Sequence, residues 1–105
     1  VACCEKSEDL YGLQWDYPNG WACLQYIVVY GLLRYGYRED ALRIAKKYKN
    51  LVEKVFEETE NLWEKYNVVE GNTNVLRRAT MPSMMGRIAG AYMLLKKYVR
   101  NKSFN

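Results

Sequence analysis

Between residues 41 and 56 the apolar side chains of Ala41, Ile44, Ala45, Tyr48, Val52, Val55 and Phe56 return every three or four positions. Only an α-helix brings such a set onto one face. The reverse face carries Lys46, Lys47, Lys49, Glu53 and Glu57, a normal solvated surface. The helix is expected to open near Arg38-Glu39-Asp40, where acids meet its positive end. Before it, Leu24, Ile27, Val28, Gly31, Leu32 and Tyr35 fall at helical spacing, with Gly36 as the stop. So short a connection makes the two helices antiparallel neighbours. A third helix is expected from about Met84 to Arg100, with Met84, Ile88, Ala91, Tyr92, Leu95 and Val99 as its stripe. The methionines read as core filler. The fold class is therefore all-α, built from antiparallel helical hairpins.

The chain has 105 residues, which suits one segment with a modest core. It holds no apolar run of about 18 residues, so no membrane span is expected. The opening VACCEKSEDL lacks a signal-peptide core and a starting Met, so the expectation is a fragment or a processed product. There is no His, and the three cysteines, Cys3, Cys4 and Cys23, make neither a disulfide scaffold nor a zinc set. Neither a metal nor a cofactor is expected. Up to Val75 the net charge is −3; from Leu76 onward seven Lys/Arg and no acid give +7. No nucleic-acid motif accompanies that basic end, so it is read as a solvated surface and not as a nucleic-acid site.

Two stretches read as long loops, residues 1 to 20, ending in the turn Pro18-Asn19-Gly20, and Asn61 to Val75. Both combine aromatics with acids: QWDYPNGWA at residues 14–22 and NLWEKYNVVEGNTNV at residues 61–75. Aromatic rings cover the C–H face of a pyranose, and carboxylates accept hydrogen bonds from its hydroxyls. A pair of carboxylates flanking the anomeric carbon can also break a glycosidic bond. The structural alternative is that the tryptophans staple the loop to the core and the acids are solvated.

The run Gln14-Trp15-Asp16-Tyr17-Pro18-Asn19-Gly20-Trp21-Ala22, followed by Leu24-Gln25, resembles the trehalase signature Q-W-D-x-P-x-G-W-A-P-L-Q. The similarity continues through YIVVYGLLRYGY to VFEETENLWEKYNVVEGNT and is strongest over residues 12–73. It implies an (α/α)6 toroid with the active site among the interhelical loops at one end. It implies inverting hydrolysis of α,α-trehalose to two glucose molecules. The family's general base lies in the motif E-K-Y-(D/N)-V, here Glu64-Lys65-Tyr66-Asn67-Val68, so the resemblance assigns that role to Glu64. It makes Trp15, Asp16 and Trp21 the substrate-binding candidates, as wall and support of the cavity.

The sequence also departs from the pattern. The family's general acid is an Asp upstream of the signature, and only 13 residues precede Gln14 here. Cys23 stands where the signature has Pro. In place of the glycine-rich loop after E-K-Y-D-V stands LRRATMPSMMGRIAG, with Ala79 at the position of the substrate-binding Glu. A compensated frameshift across this stretch would explain the change, and part of the basic charge with it. The expectation is a piece of a trehalase that keeps the base and the aromatic loop and is inactive alone. Its partners would be trehalose, and the remainder of a barrel or a second copy. The alternative is a non-catalytic helical binding module derived from a trehalase.

Overall fold

The computed structural model describes residues 1, 4–8, 13–75, 81–83 and 86–105. The element order is β1 (Asn19–Trp21), α1 (Ala22–Arg34), α2 (Arg38–Thr59), β2 (Lys65–Asn67) and α3 (Gly86–Asn101). The three helices pack against one another pairwise. Their shared core holds Ala22 and Val29 from α1, Ala41, Ala45, Tyr48, Val52 and Val55 from α2, and Ile88, Ala91, Leu95 and Tyr98 from α3. Tyr66 of β2 closes it from the side, its ring set edge-on to Tyr48.

The helix α2 follows the sequence closely. It opens at Arg38 with Glu39 and Asp40 in its first turn, and buries Ala41, Ala45, Tyr48, Val52 and Val55. Phe56 closes the expected stripe but lies at its edge, exposed. Lys49 and Glu53 pair one turn apart at 2.9 Å on the polar side. The last turn is stopped by Glu60 in the left-handed region, at φ 57°.

The face of α1 differs from the expected one. Ala22, Gln25 and Val29 are buried, whereas Ile27 is 59% exposed and Tyr35, beyond the helix end, is 84% exposed. The helix is apolar nearly all round, so period alone does not select the face it buries here. Its end is as expected: Gly36 adopts φ 87°. There the Tyr37 N–H donates to the Leu32 carbonyl and the Gly36 N–H to the Leu33 carbonyl. These two bonds form a Schellman cap. In α3, Ile88, Ala91 and Leu95 are buried as expected; Tyr98 joins them, while Tyr92 and Val99 are half-buried. Met84, expected to begin that stripe, lies outside the described residues, as does Ala79.

The stretch 61–75, read as a loop, contains a strand. Its residues 65–67 pair antiparallel with β1 in the register Asn19↔Asn67, Gly20↔Tyr66 and Trp21↔Lys65. Three-residue strands carry too little alternation to register as a pattern. Gly20 is required here: a Cβ would collide with the Val68 side chain. This ribbon joins the two aromatic-acid stretches.

Candidate functional site

Trp21 ends β1 and starts the turn into α1. Its indole N–H donates to the Gln14 carbonyl at 2.9 Å, and its ring stacks on Trp15 with centroids 4.1 Å apart and planes 16° from parallel. Trp21 is buried; Trp15 is 37% exposed and forms the outer leaf of the pair. Across the ribbon, Lys65 stands opposite Trp21 and shares its face. The Lys65 ammonium lies 5.3 Å over the Trp21 ring and 2.7 Å from Glu64 Oε2. The side chains of Lys65 and Glu64 are 4% and 14% exposed.

Glu64 is held from the other side as well. Its N–H donates to the Pro82 carbonyl at 3.4 Å, and Trp63 bridges to Ser83. The Trp63 N–H donates to the Tyr66 hydroxyl at 3.1 Å, and the Trp63 indole donates to the Thr59 hydroxyl at 3.0 Å. Burial pushes the Tyr66 phenol above its ordinary value, partly offset by the Trp63 bond. Asn67 folds the turn that follows. Its Oδ1 accepts from the Val69 and Glu70 N–H groups, and its Nδ2 donates to the Asn74 carbonyl. Asn and Asp make such side-chain-closed turns readily.

Asp16 is buried on the inner side of the Trp15 loop. Its Oδ2 accepts from the Ser7 hydroxyl, the Ser7 N–H and the Leu13 N–H. Its backbone also bonds both ways, N–H to the Leu13 carbonyl and carbonyl from the Asn19 N–H. The Ser7 hydroxyl, then the Leu13 and Ser7 N–H groups, hold this carboxyl below the usual range, against the opposing effect of burial.

The ribbon thus links the Trp15–Trp21 stack to Glu64 through Lys65, while Asp16 ties the Trp15 loop to Ser7 and Leu13. Reasoning from residue chemistry does not single out Lys65, which pairs with Glu64 and lies over Trp21, or Asn67, which closes the turn after β2. Among the described residues no group of three metal-ligating side chains occurs, and no helix is long and apolar enough to cross a membrane.

An exposed aromatic ring near a largely buried, lysine-paired carboxylate is chemistry suited to a sugar ring and its glycosidic oxygen. Comparison with known proteins agrees. The trehalase family model matches residues 3–88. The cytosolic neutral trehalase of Kluyveromyces lactis is 32% identical over 118 aligned positions, covering 96% of this chain and 16% of that protein. The periplasmic trehalase of Escherichia coli is 42% identical over 57 positions, covering 54% of this chain and 10% of that protein. A putative periplasmic trehalase of Escherichia coli O157:H7 matches to the same extent. The chain therefore spans a small part of the length of these relatives. The signature of residues 14–25, the ribbon that joins it to Glu64 and a match over most of the chain identify it as a member of the trehalase family.

Proposed function

We propose that this chain forms one wall of the active site of an inverting α,α-trehalose hydrolase. Glu64 is the general base that takes a proton from the attacking water. Trp15 offers the exposed ring against which a glucose lies, Trp21 backs it from within, and Asp16 holds the loop that carries Trp15. The observation that carries this reading is the continuous path from the Trp15–Trp21 stack through Lys65 to the Glu64 carboxylate.

Inversion needs an acid and a base on opposite sides of the bond, about 6.5–9.5 Å apart. Asp16 does not suit the acid role: held below the usual carboxylate range, it is ionised at neutral pH and has no proton to give. The acid belongs to another part of the assembled site. This favours the hydrolytic-component reading over an independently active chain.

The same reading names the macromolecular partner. The outer side of α1 and α3 forms an apolar groove of about 380 Å³ lined by Cys23, Tyr26, Ile27, Arg87, Ala91 and Leu94. The remainder of the toroid covers it; a homodimer of this chain is the competing outcome. The basic C-terminal end has no nucleic-acid role in this account. Lys102 donates to the Val99 carbonyl at the end of α3, where the helix dipole favours cations.

The test mixes this chain with a trehalase fragment carrying the remaining barrel and follows glucose release from trehalose. Activity in the mixture, reduced about 10²- to 10⁴-fold by Glu64→Gln, is the expected result for a lost general base. Stable folding and sugar binding with no glucose release would favour the non-catalytic module instead.

A further inference from the structure

A lysine ammonium that is almost fully buried is costly unless it is paired. Lys65 has two partners, Glu64 Oε2 at 2.7 Å and the face of Trp21 at 5.3 Å. Its placement follows from the ribbon. Lys65 is opposite Trp21 in the register, so its stem lies on the Trp21 side. Adjacent residues within a strand would point to opposite faces. Glu64, however, stands just outside β2, with its N–H on the Pro82 carbonyl. That bend lets its carboxylate turn back to the neighbouring ammonium.

We propose that Lys65 is the positioning residue of the site: its ammonium ties the Glu64 carboxylate to the Trp21 side of the ribbon. One charged hydrogen bond occupies Oε2 and locks the rotamer of Glu64. The other oxygen, Oε1, is left to receive the proton of a water. The same ammonium lies over the Trp21 ring, so base and wall move as one body. A base held this way loses little freedom on reaching the transition state, which is where orientation contributes to rate. The inference rests on the hydrolytic reading of Glu64 for its consequence, but its geometry can be tested without activity.

The geometric test labels the 105-residue chain with limiting acetic anhydride and reads each lysine by mass spectrometry. Lys65 should react about ten- to a hundredfold more slowly than the exposed Lys46 and Lys97, the scale of one charge-assisted hydrogen bond. Glu64→Gln should raise its rate several-fold, short of theirs because Lys65 stays buried. Lys65 labelling at the exposed rate, or an unchanged rate in Glu64→Gln, would overturn the proposal. The functional test uses the mixture that releases glucose. Lys65→Met should lower kcat about ten- to a hundredfold with little change in KM, and Lys65→Arg should recover part of the loss. A loss confined to KM, or none, would also overturn it. If the wild-type mixture releases no glucose, the hydrolytic reading fails, and the labelling result alone decides whether Lys65 holds Glu64.

Discussion

Asp16 accepts hydrogen bonds from the Ser7 hydroxyl and from the Ser7 and Leu13 N–H groups, so its folded form prefers the carboxylate. Its pKa is lowered on folding. The docking it supplies is therefore complete above the ordinary carboxylate range and is lost as pH falls through the depressed folded value. The near-UV circular dichroism of the Trp15–Trp21 stack should change over that acid window, and Asp16→Asn should remove the change. Asn67 offers a second residue-level prediction. Its side chain closes the turn at both ends, so Asn67→Ala should cost about 2–3 kcal/mol in urea unfolding. Asn67→Asp should keep the bonds from the Val69 and Glu70 N–H groups but set a carboxylate oxygen against the Asn74 carbonyl, so it too should destabilise the turn. Aromatics beside acids make both loops legible in the amino-acid sequence as parts of a sugar site, but Glu64 is picked out only by the resemblance of Glu64-Lys65-Tyr66-Asn67-Val68 to the trehalase motif. Lys65 is not legible, because a lysine is ordinarily exposed; only the strand register opposite Trp21 buries it.

At the scale of elements, legibility follows the contrast between faces. The polar side of α2 is charged and its core side is apolar, so its bounds and buried line can be read from the sequence. On α1 nearly every position is apolar, and period cannot choose between the side packed on α2 and α3 and the side carrying Ile27. The ribbon is too short to register as strands and depends on Gly20, whose missing Cβ admits Val68. Gly20→Ala should separate the strands and destabilise the chain by about 1–3 kcal/mol, the usual cost of overpacking. The C-terminus of α2 predicts the opposite sign. Glu60 sits in the left-handed region, where a Cβ costs about 1–2 kcal/mol. Glu60→Gly should raise the thermal midpoint by relieving that strain.

At the scale of the whole molecule, α1 is the element whose packing is incomplete. A helix that is apolar all round is ordinarily enclosed by other structure. Here Ile27, Tyr30 and Leu94 remain exposed on one side of the helices, beside the groove of α1 and α3. Ile27→Asp should therefore leave the fold of the chain intact while preventing its association with the remaining barrel, read by co-elution in size-exclusion chromatography. In the proposed reaction Glu64 directs water onto the anomeric carbon from the face opposite the departing glucose. Proton NMR of the first products from trehalose, in the reconstituted mixture, tests it most directly. Inversion predicts equal initial amounts of α- and β-glucose, with both reduced about 10²- to 10⁴-fold in Glu64→Gln; α-glucose alone, or products undiminished in that variant, would contradict it.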